Sequence, residues 1–216
     1  MAVGKATGDF IALLNNDVRV IEPGWLTIMM GYALQPHIGA VGPKLLYPDD
    51  RIQHAGIILL DNVAIAAESF KGRPRDTNEY FALAQVARWV IAVTGACLVT
   101  SKAKFQEVGG LDEQHLPVAF NDVDLCLKLY KAGYKNVYTP HTALYHFEFT
   151  SRGKDYDQAS IHRAQSEANY MRDTWKILAS DPFYSPHFSR SESTYLLLSP
   201  MEEPYLDESE SWRPFA

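Results

Sequence analysis

Short apolar runs alternate with segments of helical period along the chain, which is typical of an α/β fold. The continuous run FIALL at 10–14 predicts a strand covered on both faces, as in a parallel sheet. Further strands are predicted at 39–47, 54–60, 89–100, 134–138 and 144–146, and helices at 23–34, 101–109, 121–132 and 160–178. The order of these elements predicts one α/β domain.

The helix predicted after position 120 begins with two carboxylates. Its apolar side chains recur at offsets 0, 3, 4 and 7, with Asn121 as the N-cap and Gly133 as the stop signal. Asp122 and Asp124 therefore fall in the first turn, where unpaired backbone N–H groups favour negative charge. An ionised Asp122 at the edge of a cleft can accept a proton from a substrate hydroxyl. The alternative is that both carboxylates only complement the helix dipole.

Two strand ends carry further polar side chains. Asn15, Asn16 and Asp17 follow the first strand, and ligands of open α/β sheets bind beyond the carboxyl ends of strands. A carboxylate there suits a hard divalent cation that also holds diphosphate oxygens. His146 ends a later strand, and an imidazole can complete a mixed nitrogen and oxygen site for Mn²⁺. For Asn15, Asn16 and Asp17, the alternative is a turn that only stops the strand. For His146, the alternative is a histidine that is hydrogen-bonded at a strand end.

Composition narrows the class of protein. The 216 residues are 47% hydrophobic and 12% aromatic, which predicts a globular core. The net charge is −6 and no basic run stands out, so a nucleic-acid partner is not favoured. Two cysteines in a chain of this length predict a reducing compartment, here the cytoplasm. No signal peptide and no apolar run of bilayer length are visible, although peripheral association with the inner face of the membrane stays open.

Five segments carry the most specific pattern. They are GDFIALLNNDV at 8–18, VTGACLV at 93–99, VGGLDE at 108–113, AFNDVDLCLKL at 119–129 and LYHFEFTSRG at 144–153. In this order and spacing they resemble the inverting, GT-A-fold enzymes of glycosyltransferase family 2. The likeness is to rhamnosyltransferase-like enzymes of bacterial surface polysaccharide synthesis, and it covers residues 4–184.

The resemblance implies roles on the donor side of a sugar transfer. Asp17 would bind the metal, as part of a D-x-D-type motif with Asn15 and Asn16, and His146 would join the same metal site. The ion would be Mn²⁺ or Mg²⁺, and the donor a nucleotide-diphosphate sugar. Arg152 is placed to reach a donor phosphate, with a surface arginine as the alternative.

The resemblance also implies the acceptor side. Asp122 matches the catalytic aspartate, although Asn121 stands where many members have Glu. Gly110 and Asp112 match the loop between donor and acceptor, and Asp124 lies on the same side. The acceptor would be a glycan or a lipid-linked saccharide. Attack on the anomeric carbon from the opposite face would invert its configuration.

The likeness begins late in the family's domain. The expected fold is a GT-A-like, Rossmann-like mixed sheet flanked by helices, lacking the N-terminal nucleotide-binding strands. This favours either a truncated enzyme with a missing N-terminal partner or a non-catalytic remnant that acts as a binding module.

The expected division of the chain is a partial GT-A domain at 1–153, a C-terminal helix at 154–180 and a Pro-rich acidic tail at 181–216. A heptad-like apolar stripe marks the helix; its members are Ile161, Ala164, Ala168, Met171, Trp175 and Leu178. It fits packing on the helix's own domain or a homodimer seam.

Overall fold

A mixed β-sheet forms the centre of the molecule. The computed structural model describes residues 2–62, 64–148, 158–176, 181–191 and 195–198. The strands are β1 (Phe10–Leu14), β2 (Val18–Val20), β3 (Ile38–Leu46), β4 (Ile52–His54), β5 (Ile57–Leu59), β6 (Ala66–Glu68), β7 (Arg88–Val90), β8 (Cys97–Ser101) and β9 (Lys135–His146). The helices are α1 (Ala2–Lys5), α2 (Trp25–Ala33), α3 (Glu79–Ala82), α4 (Lys102–Glu107), α5 (Asn121–Lys131) and α6 (Gln158–Trp175), with a 3₁₀ turn at Leu83–Gln85.

The sheet has the order β1-β8-β3-β9-β2 in the described ranges, with β4 paired to β3 and β7 to β9. Strands β3 and β9 are parallel, and the other pairs are antiparallel. Every residue of β3 is buried, because the strand lies in the middle of the sheet with packed side chains on both faces. Strands β5 and β6 form a separate small sheet. The predicted mixed α/β sheet with flanking helices is confirmed.

Strand β1 differs from its prediction as a strand of a parallel sheet covered on both faces. It pairs antiparallel with β8, and among the described residues it lies at one end of the sheet. Only Ile11 is buried in it, whereas Ala12 and Leu14 are exposed. A five-residue apolar run indicates a strand, but it does not indicate how many neighbours the strand has.

The predicted strand at 89–100 is wrong in its extent. Two strands, β7 and β8, occupy its ends, and residues 91–96 between them leave the sheet. This connection includes Ile91, Ala92 and Val93, which are almost fully buried. The apolar pattern therefore indicates that residues 91–96 are largely buried, and not that they form a strand. Strands β7 and β8 pair with different strands, β9 and β1.

The predicted strands at 134–138 and 144–146 are one strand, β9. Its pairing with β3 shifts register between Pro43 and Lys44, whose partners are Thr139 and Ala143. Pro140 lies at this irregularity, where a proline does not interrupt the ladder of hydrogen bonds. The strand therefore continues through residues 139–143, which separate the two predicted strands.

Helix α6 packs on its own domain through a face that only partly matches the predicted stripe. Its buried side chains are Ser160, Glu167 and Met171, whereas Ile161 is 49% exposed. The carboxylate of Glu167 accepts the backbone N–H groups of residues 118 and 119, at 3.2 and 2.8 Å. Position 178 of the stripe lies outside the described residues.

Described residues that follow α6, at 181–191 and 195–198, pack against the folded core. Asp181 is 5% exposed, and its Oδ2 accepts the N–H of Leu59 on β5 at 3.1 Å. Tyr195 stacks on Phe70 at 4.7 Å between ring centroids and donates its hydroxyl to Ser69. The predicted tail at 181–216 therefore begins with packed residues, and residues 199–216 lie outside the described ranges.

The helices of the described ranges include none that is both long enough and apolar enough to cross a bilayer.

Candidate active site

A cleft of about 950 Å³ opens where β1 and β9 end and β8 begins. Its lining includes Asn15, Asn16, Asp17, Asp122 and His146. These five residues come from three distant parts of the chain, and all five were predicted as site residues from the sequence. The structure therefore brings the predicted metal ligands and the predicted base together in one cleft.

The register of two strands places Asp17 beside His146. Strand β2 pairs antiparallel with the end of β9, so that Val18 lies opposite His146. The N–H of Phe147 donates to the carbonyl of Asp17 at 2.9 Å, which fixes the two backbones. As a result, Oδ1 of Asp17 lies 3.1 Å from Nε2 of His146.

The side chains around this pair are polar and largely buried. Nε2 of His146 also lies 3.2 Å from Nδ2 of Asn15. Apart from Nε2 of His146, which donates only if it carries a proton, Oδ1 of Asp17 is buried without a hydrogen-bond donor among the described residues. An orphaned carboxylate oxygen beside an imidazole nitrogen is a costly arrangement, since a buried acceptor without a partner loses its solvation. A cation bound between the two atoms would satisfy both.

Asp122 lies in the first turn of α5 and is held by two backbone donors. Its Oδ2 accepts the N–H of Gly95 at 2.7 Å, and its Oδ1 accepts the N–H of Val123 at 2.8 Å. The N-cap lies one residue earlier than predicted, at Phe120 with φ of 60° in place of Asn121. Each carboxylate oxygen keeps a lone pair that can face the cleft.

The connection before β8 links the two halves of the cleft. The carbonyl of Ala96 accepts the N–H of Asn15 at 3.0 Å, and its neighbour Gly95 donates to Asp122. Residues 94–96 thus join the end of β1 to the start of α5. This connection lies in the stretch that the sequence predicted as an unbroken strand.

Asp124, predicted on the acceptor side, lies away from the cleft. Its carboxylate is 1% exposed, with Oδ2 at 2.6 Å from Nζ of Lys128 and Oδ1 accepting Nε1–H of Trp175 at 3.0 Å. Two residues correspond to just over half a helical turn, so the side chain of Asp124 points toward α6, whereas that of Asp122 points toward the cleft. The position of Asp124 supports a role in joining α5 to α6.

Gly110 and Asp112 flank the cleft, and only their neighbour Leu111 is among its lining residues. Gly110 has φ of 66°, and a Cβ there would lie 2.6 Å from the ring of Phe105, so glycine is required for packing. Burial would raise the pKa of Asp112, but hydrogen bonds from His115 and Tyr170 hold it well below its usual range. Arg152 lies outside the described residues.

Comparison with known proteins gives relatives but no family model, since a scan against protein-family models finds no match. The uncharacterized protein y4gI of Sinorhizobium fredii is 42% identical over 200 residues, which are 92% of this chain and 22% of that protein. The O-antigen biosynthesis protein RfbC of Myxococcus xanthus is 34% identical over 194 residues, or 87% of this chain and 14% of that protein.

A third relative is the N-acetylglucosaminyl-diphospho-decaprenol L-rhamnosyltransferase of Mycobacterium tuberculosis. It is 30% identical over 170 residues, which cover 76% of this chain and 54% of that protein. Among solved structures, GalNAc-T7 with UDP, GalNAc and Mn²⁺ has a TM-score of 0.59 at 15% identity, over 86% of this chain and 36% of that one. This likeness shows a shared GT-A fold. By sequence and by fold, the chain belongs with the family 2-like glycosyltransferases.

The chain spans only part of its relatives, from 14% to 54% of the length of the three. The resemblance seen in the five sequence segments and the predicted GT-A fold are both confirmed. The roles of the individual site residues stay predictions.

Two residues of the cleft network were missed by sequence reasoning. Gln53, on β4, is 5% exposed and its Oε1 lies 2.7 Å from Nδ1 of His146. Glu148 lines the cleft and accepts hydrogen bonds from Nε2 of Gln53 at 3.2 Å and from the hydroxyl of Tyr47 at 3.3 Å. The sequence signal was weak, because a single Gln in a short strand has no periodicity or spacing that marks it.

Proposed function

We propose that the chain carries the metal site and the catalytic base of an inverting, metal-dependent glycosyltransferase. The enzyme would move a sugar from a nucleotide-diphosphate sugar to a hydroxyl of a glycan or lipid-linked saccharide. The observation that carries the proposal is the meeting of Asp17, His146 and Asp122 around one cleft.

The residues present fit a divalent cation. Oδ1 of Asp17 and Nε2 of His146 are 3.1 Å apart, close to the roughly 3 Å between neighbouring ligands of one octahedral ion. No group of three or more His, Cys, Asp or Glu side chains that could hold a metal occurs within the described ranges. A site with two protein ligands leaves positions for phosphate oxygens and water, which is the usual arrangement for phosphate-bound Mg²⁺. Bound there, the ion would stabilise negative charge on the departing diphosphate.

Asp122 supplies the base of the proposed reaction. Its carboxylate takes the proton of the acceptor hydroxyl while that oxygen bonds to the anomeric carbon and the bond to the diphosphate breaks. The hydrogen bond from Gly95 fixes the carboxylate, so much of the rate would come from positioning. Attack from the face opposite the diphosphate inverts the anomeric configuration.

A covalent route through a cysteine is not favoured. Burial raises the pKa of the Cys97 thiol to about 12 and that of Cys126 further still, so both stay protonated near neutral pH. Neither thiol is exposed to the cleft, since both residues are fully buried. Direct displacement on the sugar needs no such nucleophile.

The relatives support the choice of donor and acceptor. One acts in O-antigen biosynthesis, and another is named as a rhamnosyltransferase for a decaprenol-diphosphate-linked sugar. The neighbour in fold was solved with UDP and Mn²⁺. A lipid-linked acceptor would bring the chain to a membrane surface during turnover.

Nucleotide binding tests the donor half of the proposal. In calorimetric titrations of the purified chain with UDP, GDP and dTDP, we expect at least one nucleotide to bind only when Mn²⁺ is present. Asp17→Ala should abolish this binding, because it removes one of two protein ligands. Asp9→Ala is the matched control, since Asp9 is an exposed aspartate before the same strand. A folded wild type that binds none of the three would overturn the proposal and favour a non-catalytic binding module.

A sugar-transfer assay of Asp122→Asn, combined with the same nucleotide titrations, tests the acceptor half of the proposal. The variant should keep metal-dependent nucleotide binding and lose about 100-fold to 10,000-fold in transfer rate, since an amide cannot accept the proton. Transfer would be measured from nucleotide sugars to polyprenyl-diphosphate-linked saccharides. Asp124→Asn is the control two residues away, and per folded molecule it should transfer at the wild-type rate. Transfer by Asp122→Asn at that rate would show that the base lies elsewhere.

A further inference from the structure

Gln53 connects the candidate metal ligand His146 to a carboxylate behind it. Its side chain is buried and reaches from β4 to the end of β9. Its Oε1 is 2.7 Å from Nδ1 of His146, and its Nε2 is 3.2 Å from Oε2 of Glu148. The same Nε2 lies 3.5 Å from the carbonyl oxygen of His146. The amide therefore lies between one ring nitrogen and two oxygen acceptors.

The two oxygen acceptors decide which way the amide faces. A carboxylate and a carbonyl can only accept hydrogen bonds, so the NH₂ group of Gln53 must be directed at Glu148 and at the backbone. The opposite orientation would place the amide oxygen against the Glu148 carboxylate, where two acceptors would repel. The oxygen of Gln53 consequently faces His146.

This orientation fixes the tautomer of His146. Because Oε1 of Gln53 is an acceptor, Nδ1 of the ring must carry the hydrogen of that bond. In the neutral ring, Nε2 then presents a lone pair, and it is Nε2 that faces Asp17 at 3.1 Å and the amide of Asn15 at 3.2 Å. A histidine ligand binds a metal through such a lone pair, while its other ring nitrogen donates a hydrogen bond to a nearby acceptor.

We propose that Gln53 is the positioning residue that keeps the proton of His146 on Nδ1 and the Nε2 lone pair directed toward Asp17, ready for a divalent cation. The inference rests on the proposed function for the cation, but the tautomer is a property of the metal-free protein. The two can therefore be tested separately.

Glu148 and its partners hold Gln53 in this orientation. The hydroxyl of Tyr47 donates to Oε2 of Glu148, the atom that also accepts from Gln53. Burial would lower the pKa of Lys71, but Tyr47 and Glu148 raise it, so a cation stays beside this carboxylate. The anchoring carboxylate thus accepts two hydrogen bonds, and the burial of Gln53 excludes water that could replace the amide.

The tautomer is read directly by ¹⁵N NMR of the metal-free protein labelled at histidine. At a pH where the ring is neutral, we expect the wild type to show a protonated Nδ1 and an unprotonated Nε2 for His146, with the signal assigned by its loss in His146→Ala. Gln53→Met has a similar volume and no acceptor, so it should give a mixture of both tautomers. Gln85→Met is the matched control, because Gln85 holds Lys44 and the carbonyl of Arg75 in another part of the fold.

Metal affinity gives the second readout, measured by calorimetric titration with Mn²⁺ alone. Gln53→Met should bind about 10-fold to 100-fold more weakly than the wild type, which is the usual effect of removing a hydrogen bond behind a histidine ligand. Gln85→Met should bind as the wild type does. The double variant Gln53→Glu with Glu148→Gln exchanges the amide and the carboxylate, keeps an acceptor at Nδ1, and should restore affinity close to the wild-type value.

The outcomes separate this inference from the proposed function. A neutral ring that carries its proton on Nε2 in the wild type, or unchanged tautomer and affinity in Gln53→Met, overturns the role of Gln53. An Nδ1 proton together with no Mn²⁺ binding overturns the metal-dependent function and leaves the tautomer assignment standing. If Gln53→Met does not fold, Glu148→Met decides, since it removes the side-chain acceptor that orients the amide: a tautomer mixture supports the inference, and an unchanged tautomer contradicts it.

Discussion

At the scale of single residues, the geometry of the cleft depends on a glycine. Gly95 donates its N–H to Oδ2 of Asp122 at 2.7 Å, and a Cβ at this position would lie 3.3 Å from Cβ of Asp122. That distance is tighter than an ordinary carbon–carbon contact of about 3.5 to 4.0 Å. The absence of a side chain thus lets the backbone approach the proposed base closely.

Gly95→Ala should lower the transfer rate about 10-fold and leave nucleotide affinity unchanged. The added methyl group would displace Asp122 by a few tenths of an ångström, and misplacement of about 1 Å can cost about 100-fold in rate. Steady-state kinetics would separate kcat from KM. Gly31→Ala on α2 is the control, because a Cβ there meets nothing within 4 Å. An unchanged kcat in Gly95→Ala would argue against a close positional requirement for Asp122.

At the scale of elements, α6 holds the loop that forms one wall of the cleft. Glu167, 2% exposed, accepts the N–H groups of Val118 and Ala119, and Val118 lines the cleft. At the C-terminal end of the helix, Nε1–H of Trp175 donates a hydrogen bond to Oδ1 of Asp124 on α5. Helix α6 therefore fixes both the loop and the helix that carries Asp122.

Glu167→Gln should lower the free energy of unfolding by about 1 to 3 kcal/mol. The new NH₂ group would face a backbone N–H, which leaves a buried donor without an acceptor. Urea denaturation would measure the loss. Gln165→Ala, at an exposed position of the same helix, should change it by less than about 0.5 kcal/mol. Equal stabilities for the two variants would contradict the anchoring role of Glu167.

At the scale of the whole molecule, the segment at 181–191 packs against β5 of the small sheet. Asp181 accepts hydrogen bonds from Leu59 on β5 and from Phe183 in its own segment. Burial raises the pKa of this carboxyl to about 6, above the ordinary 3.8. Packing of the segment against β5 thus takes an ionisable group out of water.

The stability of the molecule should therefore depend on pH through Asp181. A raised pKa means that the contribution is fully present below pH 3.8 and is lost as pH rises through about 6, because the buried group must then ionise. Relative to Asp181→Asn, the wild type should lose roughly 3 kcal/mol of unfolding free energy across this window. Urea denaturation between pH 3.5 and 7, compared between the two proteins, would measure it. A difference that stays constant or grows with pH would contradict the raised pKa.

Candidate site residues near strand and helix ends could be predicted from the sequence, because the sequence patterns that mark them are local. Asp17 follows an apolar run and Asp122 begins an amphipathic helix, so each signal lies within about ten residues. Asp124 shows the limit of such reasoning. Two residues from Asp122 it has the same local signal, yet the helical rotation turns it toward Trp175.

The sequence by itself determined the alternation of elements, the family and the residue types of the cleft, since periodicity and motifs are written along the chain. Tertiary structure alone decided that Gln53 lies behind His146, 93 residues away, and that Gly95 lies beside Asp122. These contacts depend on strand register and on where a buried connection leaves the sheet. Both are set by pairing between distant segments, which a local apolar pattern does not encode.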